Sequence, residues 1–121
     1  MGIKELISGL EGAREPSRFL DRQIVQLMGW QKAKGPLGGD GRETVRWVPP
    51  GASRPRRCPL YTSDLQDAYR LALQVDPEHV GALVKEGDSF RSQIEGGPVC
   101  YGSNPALALC IAALKFKHSI P

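Results

Sequence analysis

The sequence predicts an α+β fold with a small antiparallel sheet. Three observations carry that expectation. Apolar residues recur at helical spacing in several segments, an alternating run follows a two-residue Gly87-Asp88 turn, and a nearly all-apolar segment opens at Ser103-Asn104-Pro105. At 121 residues the chain fits one domain, 1–121.

The elements follow in order. Ile3, Leu6, Ile7 and Leu10 lie on one helical face, so residues 2–12 read as a short amphipathic helix, weakened by Gly9 and Gly12. Pro16 suits the first turn of a second helix, whose stripe is Leu20, Ile24, Leu27 and Met28, widened by Phe19. Gly29 is its expected stop. Residues 31–42, rich in Gly with Pro36, read as a mobile loop. Thr44–Val48 alternate as a strand with Val45 and Trp47 on one face, ended by Pro49-Pro50. A second loop spans residues 49–60 and carries Arg54, Arg56 and Arg57.

Thr62 or Ser63 is the expected cap of a third helix. Ser63 is preferred because Gln66 then completes a capping box. Its expected buried stripe is Leu65, Ala68, Tyr69 and Ala72, and Asp76-Pro77 ends it. Residues 79–86 and 89–95 form a hairpin about Gly87-Asp88. Asn104-Pro105 starts the last helix, and Ala106 to Phe116 is apolar enough to be buried on more than one side. The order is α-α-β-α-β-β-α, with at least three strands in one sheet and helices on one face or both.

Composition narrows function mainly by exclusion. A formal net charge of +3 does not by itself indicate nucleic-acid binding. Three cysteines, Cys58, Cys100 and Cys110, are an odd, widely spaced set that argues against a disulfide framework. With His79 and His118 they give no zinc-site spacing, and no nucleophile or phosphate-loop motif stands out, so no cofactor and no catalysis are expected. Leu6 stands where a myristoylation signal needs Ser or Thr, and no apolar run approaches a membrane span. The expected location is the cytoplasm, with no membrane partner.

Three blocks carry a family resemblance: Arg14-Glu-Pro-Ser-Arg-Phe-Leu-Asp-Arg-Gln-Ile24, Leu60-Tyr-Thr-Ser-Asp-Leu-Gln-Asp-Ala-Tyr69 and Asn104-Pro-Ala-Leu-Ala-Leu-Cys-Ile-Ala-Ala-Leu-Lys115. In this order they resemble the phage ABA sandwich domain family. The last block is also similar to the C-terminal helix of NinX-type phage proteins. Glu15-Pro16-Ser17 and Arg22-Gln23 depart from the family's usual residues. The resemblance implies an α-β-α sandwich encoded by a phage or prophage and acting in the host cytoplasm. It carries no catalytic residues, because its motifs are helix starts and core stripes.

The candidate contact chemistry is therefore that of a binder. Arg54, Arg56 and Arg57 can grip phosphate or carboxylate, against the plainer reading of a solvated basic loop. The helix starts at Tyr61-Thr62-Ser63 and at Tyr101-Gly102-Ser103-Asn104 offer free N–H groups to an anion, against simple caps. The second is acid-free; Gly102 would let a ligand approach and Tyr101 would stack on a base. Trp30 and Trp47 can also stack on a planar ligand, Trp30 being the better placed for exposure. Arg56 and Arg57 are positioned to lower the pKa of Cys58. The expected function is a non-enzymatic phage counter-defence protein, a sponge that sequesters a host nucleotide second messenger, acting as a homo-oligomer. The alternative is a protein-binding inhibitor of a host defence or regulatory protein.

Overall fold

The computed structural model describes residues 2–37, 43–78 and 81–118. The side chains of residues 34–37 and 43–45 fall outside that description, and with them the expected shared face of Val45 and Trp47. The described elements are α1 (Ile3–Gly12), α2 (Arg18–Leu27), β1 (Gln31–Leu37), β2 (Glu43–Val48), α3 (Leu65–Val75), β3 (Gly81–Glu86), β4 (Ser89–Ile94), β5 (Cys100–Gly102) and α4 (Pro105–Lys117). The chain is mixed α+β. The seven expected elements occur in the expected order, and two further strands, β1 and β5, add to them.

The organising element is α4. It is apolar all round, and every residue from Ala106 to Leu114 is buried. Asn104 caps it by accepting the Leu107 N–H at 2.7 Å, and Pro105 fills the first helical position. One flank of α4 lies on β3, β4 and β5, and others meet α1 and α3. Helices thus cover one face of the three-stranded sheet, and α1 and α3 pack on α4 rather than across the sheet. Along β4, Ser92 and Ile94 turn inward while Arg91 and Gln93 face out.

The sheet order is β3-β4-β5, antiparallel throughout, with Leu83 opposite Ser92 and Arg91 opposite both Val84 and Tyr101. The β3–β4 hairpin turns at Gly87, whose φ of 63° lies where glycine is favoured. The expectation of one sheet is corrected. β2 pairs with β1 in a separate two-stranded ribbon, so the three-stranded sheet is completed by β5 instead.

β1 is the second correction. Gln31–Leu37 lies within the stretch expected to be a loop, and residues 38–42 lie outside the described residues. Its backbone pairs Gln31 with Val48 and Lys32 with Trp47, and the register shifts between Lys34 and Leu37. That irregularity coincides with Gly35-Pro36, residues that an edge strand tolerates at a bulge. A ladder of backbone bonds needs no hydrophobic alternation, which is why composition hid this strand.

Three helix details also differ. Pro16 precedes the α2 cap rather than opening the helix: Ser17 caps it, accepting from the Leu20 N–H at 3.2 Å. α3 is capped by Asp64, whose Oδ1 accepts from Gln66 N–H at 2.8 Å, not by Thr62 or Ser63. Its buried stripe is Ala68, Leu71 and Ala72, while Leu65 and Tyr69 are 42% and 47% exposed. The buried face runs through Ala68, Leu71 and Ala72 at i, i+3 and i+4, which turns Leu65 and Tyr69 away from the core.

Candidate functional site

The three sequence blocks meet at one polar junction. Asp21 of α2 is buried; its Oδ1 accepts from Thr62 N–H at 2.8 Å and its Oδ2 from Arg18 Nη1 at 2.8 Å. The Thr62 hydroxyl accepts from Ser17 N–H at 2.9 Å and donates to the Ser17 carbonyl at 3.2 Å. Asn104 Nδ2 donates to the Thr62 carbonyl at 3.0 Å, and the buried Cys110 thiol donates to the Tyr61 carbonyl at 3.2 Å. Each partner satisfies a group that burial would otherwise leave unpaired. Residues 61–62 are thereby pinned to α2 and α4, and both Tyr61 and Thr62 are buried.

Beside this junction lies a cleft of about 510 Å³ lined by Arg18, Arg56, Arg57, Arg70, Asp67 and Trp30, with residues 58–61 along one wall. Arg18 shapes that wall: Nη2 donates to the Cys58 carbonyl at 2.9 Å and Nη1 to the Pro59 carbonyl at 3.2 Å. Asp67 Oδ2 holds the Leu60 N–H at 2.9 Å, and its Oδ1 pairs with Arg70 at 3.3 Å. Asp67 is the sole carboxylate among the lining residues. Arg56 and Arg57 are exposed and make no ion pair with another described residue. The backbone of Arg56 is fixed to the edge of β2, its N–H and C=O bonding Trp47 at 2.7 Å and 2.8 Å. Two guanidinium groups on an anchored segment, with two more beside them, form an arrangement suited to an anion bearing several oxygens.

The structure therefore brings together Arg56, Arg57, Trp30 and Tyr61 from the expected set. Arg54 is exposed but does not line the cleft. Ser63 is exposed and caps nothing, and Trp47 is core. Trp30 is also buried, which corrects its expected exposure. The reason is local. Gly29, at φ 89°, ends α2 with a Schellman pair, Gly29 N–H to the Gln26 carbonyl and Trp30 N–H to the Val25 carbonyl, both 3.1 Å. That turn folds the following residue back over the helix end, where an apolar side chain packs.

The Tyr101–Asn104 group lies elsewhere and does not form the expected anion site. Tyr101 is half exposed, but on the outer face of the sheet, in β5. Gly102 admits the backbone of α4, not a ligand: a Cβ there would stand 2.5 Å from Ala108 N and 2.9 Å from Ala108 Cα. Ser103 Oγ donates to the Ala13 carbonyl at 2.9 Å. At the tip of α4, Pro105 has no N–H and the Leu107 N–H is taken by Asn104, so two of the first-turn positions expected to hold an anion have no N–H to offer.

No protein-family model, curated protein or solved structure matches this chain. Its site is read from its own residues. Among the described residues no group of His, Cys, Asp and Glu is placed to hold a metal ion, and no helix is long and apolar enough to cross a membrane. His79 lies outside the described residues. Cys58 is buried, and burial pushes its thiol up to about 11 despite the opposing charge of Arg18 and Arg22. The expected lowering by Arg56 and Arg57 is thus corrected: desolvation outweighs the cations. Burial likewise raises Tyr61, Cys100 and Cys110. Arg18, Asp67 and Arg70 were not singled out from sequence; the signal available was a pair of acid–arginine neighbours three residues apart, Arg18–Asp21 and Asp67–Arg70.

Proposed function

We propose that this chain is a non-enzymatic binding protein that holds a small phosphate-bearing nucleotide in the arginine cleft. In the phage setting implied by the three sequence blocks, it would act as a counter-defence sponge for a host second messenger. One observation supports this reading above the others. Four arginines from α2, α3 and the 56–57 segment converge on one cleft whose lone lining carboxylate is engaged by Arg70 and the Leu60 N–H. Arg56 and Arg57 contact the phosphate, and Arg18 holds the wall. The ligand's remaining part rests against Leu60, which is 42% exposed, and the edges of the buried Trp30 and Tyr61.

The test is thermal unfolding with a panel of cyclic and ADP-ribose-type nucleotides. A ligand at a hundred times its Kd stabilises by about 2.7 kcal/mol, which is about 10 °C for a domain of this size. Arg56→Ala/Arg57→Ala should abolish the shift. Chemically altered ligand recovered after incubation would contradict the non-enzymatic part.

A second reading, inhibition of a host protein, is favoured by a separate apolar groove of about 530 Å³. Leu65 and Tyr69 of α3 and Ala82 and Leu83 of β3 line it above Leu109. Absence of any nucleotide effect, together with binding of a host protein lost in Leu65→Asp, would support that reading instead.

A further inference from the structure

We infer that the β1–β2 ribbon and the arginine segment beside it form an arm that enters the groove of duplex DNA. The modest net charge of the chain hides a segregation. Residues 31–57 hold seven Lys or Arg against two Asp or Glu, a surplus of five, whereas the rest of the chain holds nine against eleven. The whole positive excess thus sits on one ribbon and its flank, as in basic arms that bind nucleic acid. Five of the seven have described side chains: Lys32, Arg46, Arg54, Arg56 and Arg57. None is buried, and none pairs with a described carboxylate.

Placement selects the partner. Lys32 lies opposite Trp47, and Trp47 bridges in turn to Arg56, so the three share one face. Arg46 lies opposite Ala33 on the other face. Positive charge therefore flanks the ribbon on both faces. A flat anionic membrane would meet only one of them, whereas a groove between two rows of phosphate meets both. Two strands about 4.8 Å apart, with their side chains, match a B-form major groove about 12 Å wide; the A-form major groove of duplex RNA is too narrow to admit them. The ribbon is also open to such a partner. Its strands pair with each other, no helix or other named strand packs closely on them, and the buried Trp47 fixes its base to the core. Lys32, Arg46 and Arg54 do not line the arginine cleft, so this surface stands apart from the ligand proposed there.

Fluorescence anisotropy of a DNA duplex of about 20 base pairs, titrated with the intact chain at several salt concentrations, tests this. Five phosphate contacts predict a log–log salt slope of about −4.5, or a loss of about 500-fold in affinity from about 50 mM to about 200 mM salt. Lys32→Gln/Arg46→Gln/Arg54→Gln should flatten the slope by about three and weaken binding at least about tenfold at the lower salt. Arg54→Gln alone, in an exposed loop, should flatten it by about one without touching the ribbon's own pairing. Lys4→Gln/Arg14→Gln/Lys85→Gln, the same charge change at exposed positions elsewhere, should stay within about threefold of wild type. An RNA duplex of the same sequence should bind at least about tenfold more weakly than the DNA. No duplex binding at about 50 mM salt would overturn the inference. So would equal losses in the two triple variants, or RNA held as tightly as DNA.

Discussion

Gly102→Ala tests the packing that holds the sheet to the central helix. The added methyl carbon would lie 2.5 Å from Ala108 N, 2.9 Å from Ala108 Cα and 3.0 Å from Leu107 C. All three are backbone atoms of α4, so no side-chain rotation relieves the clash. Either β5 lifts from the helix or the helix shifts within a core where its neighbours are fully buried. Overpacking of a side chain costs about 1–3 kcal/mol, and a backbone-on-backbone clash belongs at or above the top of that range. With about 2 cal/mol/K of unfolding entropy per residue, a loss of about 3 kcal/mol lowers Tm by about 12 °C. Thermal unfolding followed by circular dichroism measures this. Gly12→Ala is the control, because nothing lies within 4 Å of its added carbon, and it should cause no loss. A Gly102→Ala protein melting within about 2 °C of wild type would refute the close-packing argument and reopen Gly102 as a position with room for a ligand.

Further predictions follow from the buried polar groups. Asp21→Ala leaves the Thr62 N–H and Arg18 without their shared acceptor and should cost about 3 kcal/mol in denaturant unfolding, while also loosening the cleft wall. Ser92→Ala should raise stability by about 1 kcal/mol, since the Ser92 hydroxyl is buried against α4 with no hydrogen-bond partner; a loss of similar size would show a partner bond. Cys58 should react slowly with a thiol reagent at pH 8 in the folded protein. Its folded pKa lies above the ordinary 9.0, so its contribution is present below that value and is lost as pH rises toward about 11. Wild type should therefore lose Tm more steeply than Cys58→Ala over that window.

Much of the fold was legible where local chemistry and tertiary packing agree. Asn104-Pro105 marked the start of α4 because the cap and the missing N–H suit a helix start whatever surrounds it, and Gly87 marked the hairpin for a similarly local reason. What was missed depends on partners distant in sequence. β1 exists because β2 pairs with it, β5 because Gly102 lets it reach α4, and the inward phase of α3 because Leu71 rather than Tyr69 meets the core. The candidate site divides the same way. The arginine-rich loop was visible as a cluster of charge, but Arg18 and Arg70 join it only after residues 58–61 are tied down by Asp67 and Arg18 itself. Tyr101 and the arginines, grouped by sequence reasoning as one binding chemistry, line different cavities.

Calorimetric titration of nucleotides into the wild-type chain and into Arg56→Ala/Arg57→Ala bears most directly on the arginine cleft. The cleft account predicts one ligand per chain, affinity that falls as salt rises, and no measurable heat in the double variant. Equal binding by the two proteins, or no heat from any phosphate-bearing nucleotide with wild type, would contradict it.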